Sequence, residues 1–171
     1  MSEKDTTASP TPTPAPSPME LVLQFHHTYS VPIRPFSDPT LDYERMNMRM
    51  SLIAEEFAEL MGAVYGPRAR AIIEAATAEA VATDEGERDV IEAADALADL
   101  VYVVYGMAIE SGMNLDSVLA EVQASNLSKL MPDGSVKLRE DGKVLKGPNF
   151  LQPNIARGLG LESPTDGSDA D

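Results

Sequence analysis

Six acidic residues on two apolar segments constrain this chain more than any other feature. Glu55, Glu56 and Glu59 stand in the run SLIAEEFAELMGAVYG, and Glu92, Asp95 and Asp99 in the run DVIEAADALADLVYVVYG. Between Ser51 and Ser125 there are fifteen Asp or Glu and three basic residues, Arg68, Arg70 and Arg88. Carboxylates that face a core without basic partners are costly in free energy. The usual resolution is a bound divalent cation, so a fold that buries these segments is expected to gather the acids around metal.

Helical geometry sharpens the point. At about 100° per residue, Glu55, Glu56 and Glu59 fall within an arc of roughly 100°. Leu52, Ile53, Phe57, Leu60, Met61 and Val64 share an overlapping arc, so the acids line one edge of the apolar face and Glu56 lies inside it. Glu92, Asp95 and Asp99 span about 60° on a helix that is otherwise Ile, Leu, Val, Ala and Tyr, which is expected to be buried on most sides. Antiparallel packing of the two helices would let the stripes converge. Mg²⁺ and Mn²⁺ take hard oxygen ligands in octahedral geometry. Several carboxylates can hold two such ions, and the ions can bridge and neutralise a polyphosphate. A carboxylate outside the coordination shell can orient or deprotonate a water. A lone EExxE on a helix is ordinarily a solvated face. The second stripe, on a helix apolar nearly all round, favours the metal reading.

Composition narrows the remaining classes. A chain of 171 residues suits one domain with a sizeable core, or one protomer of a dimer. It has no cysteine, which excludes a disulfide framework and a thiolate zinc site. Its two histidines, His26 and His27, do not make a His-rich metal site. Five prolines within residues 1–18 keep that segment extended, so it reads as a disordered Pro-rich tail. Residues 160–171 read as a disordered acidic tail, which leaves 19–159 as the helical domain. No apolar stretch of signal-peptide type opens the sequence, and the most apolar window, 97–109, contains Asp99 and is too short to cross a bilayer. A cytoplasmic protein is expected. The net charge of −15 argues against binding nucleic acid or anionic membranes. From Lys129 to Lys146, however, five basic residues (Lys129, Lys137, Arg139, Lys143, Lys146) face three acids.

The pattern predicts an all-α chain with a minor β element. Leu21, Val22, Phe25 and Tyr29 at helical spacing predict a short first helix over 19–29. Pro32, Pro35 and Pro39 mark a connector, after which Thr40 is placed to cap a long helix running to about Tyr65. Gly66-Pro67 ends it. Residues 69–82 are alanine-rich and helical, and 83–87 form a loop. A fourth helix is expected from about Arg88 to Glu110, followed by Gly112. Asn114 caps a fifth, from Leu115 to about Leu130. Alternation over 135–145 around Asp141-Gly142 predicts a two-stranded ribbon.

The paired acids resemble those of a known superfamily. EExxE at Glu55, Glu56 and Glu59, followed by ExxD at Glu92 and Asp95, is similar to the motifs of the all-α NTP pyrophosphatases. These include MazG, the dimeric dUTPases and phosphoribosyl-ATP pyrophosphatase. The stretch SNLSKLMPDGSVKLREDGKVLKGPNF resembles the C-terminal part of MazG-like and phosphoribosyl-ATP pyrophosphohydrolase-like proteins, and the likeness covers roughly 21–153. It implies a four-to-five-helix bundle with a small C-terminal β-ribbon, assembled as a homodimer or a dimer of dimers. It implies hydrolysis of a nucleoside triphosphate to the monophosphate and pyrophosphate, with two or more Mg²⁺ ions per site and Mn²⁺ as a substitute. By motif position Glu56, Glu59, Glu92 and Asp95 match the metal ligands, and Glu55 the acid that positions or activates water. Asp99, one turn further on, is a further ligand or a hydrogen-bond acceptor behind one. Asn126 and Lys129 match nucleotide-contacting positions, and Lys143 is added on charge grounds. Lys129, Lys143 and Lys146 can supply charge-assisted hydrogen bonds to phosphate. Lys137 and Arg139 read as solvent-facing.

Other residues favour plain structural roles. Phe25, Tyr29 and Phe36 could wall a base pocket, but packing is the better default. His26 and His27 read as structural, Met46, Met48 and Met50 as core and dimer-interface filler, and Tyr102 and Tyr105 as packing residues. Because the fourth helix is apolar almost all round, one protomer is not expected to cover it. Among substrates dUTP comes first. Phosphoribosyl-ATP, or a broad MazG-type range, is the alternative within the superfamily. A non-catalytic helical dimer that binds metal or nucleotide is the alternative of another class.

Overall fold

Ser17 starts the first helix, α1 (Pro18–Thr28), through a reciprocal cap. Its Oγ accepts from the Glu20 amide at 3.3 Å, and its own amide donates to Glu20 Oε2 at 2.7 Å. Pro18 fits the first helical position, where no amide hydrogen is needed. This description comes from a computed structural model that describes residues 15–139 and 143–162. Residues 1–14 and 163–171, which hold most of the two expected tails, and the Asp141-Gly142 turn lie outside the described residues.

Five further helices follow: α2 (Met46–Tyr65), α3 (Pro67–Ala82), α4 (Val90–Glu110), α5 (Leu115–Leu127) and α6 (Ile155–Gly158). The all-α expectation holds. α2 begins later than the sequence suggested. The Thr40 hydroxyl accepts from the Asp42 amide at 3.0 Å, which closes a local turn rather than capping a helix. The helix then starts after Arg45 with no side-chain cap. Gly66, at φ 93°, makes the left-handed break that stops α2, and Pro67 restarts the chain as α3. Asp89 caps α4 by accepting from the amides of Ile91 and Glu92 at 2.9 and 3.0 Å. Asn114 caps α5 as expected, through the Ser117 amide at 3.2 Å.

The expected C-terminal β-ribbon is not supported. Among the described residues it reduces to one antiparallel bridge, Leu138 with Val144, flanked by Arg139 N to Lys143 O and Leu145 N to Lys137 O, each 2.8 Å. Alternation signals one face toward a core and one toward solvent, but a two-strand pair needs a third partner or a covering helix to extend. α5 also stops at Leu127, a turn before the expected end.

The described residues divide into two compact units, one within 1–33 and 104–171, the other Arg34–Val103. In the first, α5 packs on α1 and α6. Tyr29 is buried there, its ring centroid 4.5 Å from that of Phe25, and Gln123 Nε2 donates to Gln24 Oε1 at 3.0 Å. Arg157 clips α6 to α5 through two 2.7 Å bonds to Glu121. In the second, α2 lies along α3, and Ala58 is fully buried between them. The first part of α4 packs along neither α2 nor α3. Its apolar side chains stay in solvent: Ile91 is 83%, Val101 58% and Tyr102 81% exposed. Further along the helix Ala108 is buried, and Tyr102 is exposed rather than packed as expected.

Candidate active site

α2 carries Glu55, Glu56 and Glu59 on successive positions of one side, because the helix is continuous from Met46 to Tyr65. All three are exposed, as are Glu92, Asp95 and Asp99 on α4. Burial of these acids in a core, as their apolar surroundings predict, is not what the helices show. Among the described residues they lie at the surface. The expected lack of basic partners does not hold at Glu59, whose Oε1 lies 3.2 Å from Arg70 Nη2 on α3. Arg70 also donates through Nε to Glu74 Oε1 at 2.7 Å. The carboxylates around it push the Arg70 guanidinium upward from its ordinary value, the Glu74 hydrogen bond most of all.

A groove of about 560 Å³ runs between α2 and α3, lined by Ser51, Glu55, Arg70, Glu74 and Thr77 among others. Glu55, the acid matched to water activation, therefore borders an open space rather than a packed core. Phe57 at 46% and Leu60 at 38% exposure lie on the same helix, so the acids adjoin uncovered apolar surface.

The donor set fits a hard divalent cation in chemistry, being carboxylate oxygen throughout. Among the described residues, no group of three or more His, Cys, Asp or Glu side chains is placed to hold one. The α2 and α4 acids form no such group among the described residues.

Asn126 and Lys129 are brought together at the end of α5, in the other unit. Lys129 Nζ donates to Asn126 Oδ1 at 2.7 Å. The Asn126 carbonyl accepts from the Tyr29 hydroxyl at 2.6 Å, and burial pushes the Tyr29 phenol above its ordinary value. The chain after the bridge is fastened to the same place. The Gly147 amide donates to Lys129 O at 3.0 Å, the Ser125 hydroxyl to Leu151 O at 2.7 Å, and the Leu151 amide to Ser128 Oγ at 2.9 Å. Lys146 Nζ sits 4.3 Å from the Phe150 ring centroid, a cation–π geometry. Lys143 is half-buried beside the bridge. Lys137 and Arg139 are exposed as expected. Phe25 and Tyr29 pack in the core, while Phe36 is 81% exposed.

Sequence reasoning missed three features. Arg70 and Glu74 stand four apart on α3, a readable spacing for an ion pair, but the link across to Glu59 needs the helix packing. The Ser125, Ser128 and Leu151 clamp had no sequence signal. Gly147 had one only in hindsight: a Cβ there would run into the Leu130 carbonyl.

Helical chains with EExxE and ExxD on separate helices resemble the nucleotide pyrophosphohydrolases. The family model for phosphoribosyl-ATP pyrophosphohydrolase matches residues 22–126, more than half of the chain and all of both acid motifs. The chain belongs to that family. It is also similar to a candidate NTP pyrophosphohydrolase from Exiguobacterium sp. 255-15, whose crystal structure it matches with a TM-score of 0.65 at 27% identity. That match covers 85% of this chain and 95% of the other. No curated protein sequence matches the chain. Among the described residues no helix is long and apolar enough to cross a membrane.

Proposed function

We propose that the protein hydrolyses a nucleoside triphosphate to the monophosphate and pyrophosphate in a Mg²⁺-dependent reaction, with dUTP as the first substrate. The observation that carries this reading is the exposed row of Glu55, Glu56 and Glu59 beside uncovered apolar surface, in a member of this family. Glu56, Glu59, Glu92 and Asp95 are the residues that hold the ions, two or more per site, with Asp99 as a further acceptor. When bound, the ions neutralise the triphosphate and make its phosphorus open to attack. Glu55, bordering the groove, orients the water and takes its proton. Asn126, Lys129 and Lys143 bind nucleotide. Lys129 can exchange its bond to Asn126 for a phosphate oxygen, which frees the amide for a base or sugar. A second copy of the chain covers the apolar face of α4 and completes the site, as a homodimer or a dimer of dimers.

The test is a panel of triphosphates, including dUTP, assayed for pyrophosphate with Mg²⁺, with Mn²⁺ and with a chelator. Release of pyrophosphate from one or more of them, lost on chelation, is expected. No release from any of them ends the reading. The family match favours a second substrate, phosphoribosyl-ATP. A strong preference for it over dUTP in the same assay would select that reading.

A further inference from the structure

The end of α5 and the strap after the bridge form one corner, inside one unit of the fold. Gly147 to Phe150 is a turn, closed by the Phe150 amide donating to Gly147 O at 3.1 Å. Pro148 stands second in it, where a fixed φ suits a turn. The turn brings Phe150 back to the residue before it, so Lys146 Nζ lies 4.3 Å from the Phe150 ring centroid. Both ends of the turn are fastened to the end of α5. The Gly147 amide donates to Lys129 O at 3.0 Å, and a Cβ at Gly147 would meet the Leu130 carbonyl. The Leu151 amide donates to Ser128 Oγ at 2.9 Å, and the buried Ser125 hydroxyl donates to Leu151 O at 2.7 Å. These bonds fix an aromatic ring beside the stretch that carries Asn126 and Lys129, whose side chains meet at 2.7 Å.

The ring and the ammonium on it are held differently. Phe150 is half-buried, and its backbone is tied on both sides. Lys146 is exposed, and a lysine over a ring at an exposed site is held weakly. A phosphate oxygen offers the same ammonium a charge-assisted hydrogen bond, roughly twice as strong as a neutral one. A polyphosphate bound at Lys129 therefore draws Lys146 off the ring and leaves a fixed aromatic face uncovered beside it. A nucleobase covers such a face well, because every base has a π face of its own.

We propose that Phe150 is the platform on which the base of the nucleotide stacks, and that Lys146 covers the ring in the empty protein and moves to phosphate when nucleotide binds. This rests on the reading of Asn126 and Lys129 as nucleotide-binding residues. Stacking is indifferent to the base, so Phe150 adds affinity for uracil and adenine nucleotides alike.

Calorimetric titration of the full chain, with MgCl₂ present, compares three probes. Two are nucleotides that resist hydrolysis, α,β-imido-dUTP and α,β-methylene-ATP, and the third is inorganic tripolyphosphate, which has no base. Phe150→Leu removes the π face and keeps an apolar side chain. It is expected to weaken each nucleotide that the wild type binds about fivefold to hundredfold, and to leave tripolyphosphate within about twofold. Phe150→Tyr restores the ring face and is expected to bind the nucleotides within about threefold of wild type. Lys146→Gln is expected to weaken tripolyphosphate about threefold to tenfold. Thermal melts without ligand identify a variant that fails to fold. In that case, or if tripolyphosphate does not bind, contacts between the base protons and the Phe150 ring, read as nuclear Overhauser effects in the wild-type complex, carry the test alone; their absence overturns the platform. Equal weakening of nucleotides and tripolyphosphate by Phe150→Leu makes the ring structural and overturns the platform, as does unchanged nucleotide binding. Pyrophosphate release by the wild type then leaves the hydrolase reading standing. Tripolyphosphate binding unaffected by Lys146→Gln overturns the movement of Lys146. A wild type that binds neither nucleotide removes the nucleotide reading of this corner and the platform together.

Discussion

The Tyr29 hydroxyl donates to the Asn126 carbonyl at 2.6 Å, with the Leu127 carbonyl 3.2 Å away, so the residue after α1 closes the last turn of α5. The end of a helix leaves carbonyls without partners, and here a buried phenol brings one proton to that pair. The same turn carries Asn126 and Lys129. Order at that corner therefore depends on a residue 97 positions away in sequence.

Tyr29→Phe keeps the ring and its packing against Phe25 but removes this hydrogen bond, leaving the Asn126 carbonyl with only the Lys129 amide at 3.3 Å. It is expected to destabilise the protein by about 1 kcal/mol. That lowers the melting temperature by roughly 2–4 °C for a domain of this size. Differential scanning calorimetry measures it, and an unchanged melting temperature would remove Tyr29 from this role.

Gly147 is held where only hydrogen fits. A Cβ would meet the Leu130 carbonyl oxygen and carbon, backbone atoms that cannot turn aside as a side chain does. Gly147→Ala is expected to cost about 1–3 kcal/mol, the usual range for overpacking. The expected response is local, with the Gly147–Lys129 bond breaking first. Hydrogen exchange is expected to show faster amide exchange over 145–151, with α2 and α3 unaffected.

Asp84 gives an acid-limb prediction. Its carboxyl is lowered from 3.8 to about 2, chiefly by the hydrogen bond from Arg88 and then by the Gly86 amide. A carboxyl depressed on folding adds stability that is present above its unfolded value and lost as pH falls through the folded one. The window is therefore 3.8 down to about 2. Urea midpoints of wild type and Asp84→Asn are expected to differ at neutral pH, with wild type higher, and to converge below about pH 2. The side chains are partly exposed, at 40% for Asp84, so the difference is small.

Much of this fold was legible in the sequence because its punctuation is local. Gly66-Pro67, Asn114 and the 83–87 loop carry their own conformational reasons, and all stand where the pattern placed them. Thr40 failed because its hydroxyl had a nearer amide to bind, at Asp42, than the helix needed. The acid motifs were legible as residues but not as a site. Spacing fixes which acids share a helix, whereas convergence depends on what lies against α4, and that is a matter of packing between helices. Glu59 shows the same limit: no pattern within α2 reveals that Arg70 on α3 reaches it.

Glu55 separates chemistry from stability. Its side chain is exposed at the edge of the α2–α3 groove. Glu55→Gln keeps its size and removes its ability to take a proton. Pyrophosphate release is expected to fall about 10²–10⁴-fold, the usual contribution of a general base. The melting point is expected to change little, since exposed substitutions lie within about 0.5 kcal/mol. Unchanged activity would count against the enzyme reading at this residue.

The bare face of α4 makes the strongest demand on assembly. Ile91, Val101, Tyr102 and Val103 are 83%, 58%, 81% and 60% exposed on one helix, which is an apolar surface that water tolerates poorly. The α4 acids lie on the same helix, so whatever covers this face also decides where Glu92 and Asp95 point. A second copy of the chain is expected to be that cover. Tyr102→Asp places a charge at a position with nothing packed on it in the single chain, so it leaves the protomer's own fold intact. In sedimentation velocity the wild type is expected to run as a dimer or tetramer and Tyr102→Asp as a monomer. Pyrophosphate release is expected to be lost together with assembly if a second copy completes the site as proposed. A monomeric wild type with full activity would show that one chain closes the site by itself, and would remove the second copy from the mechanism.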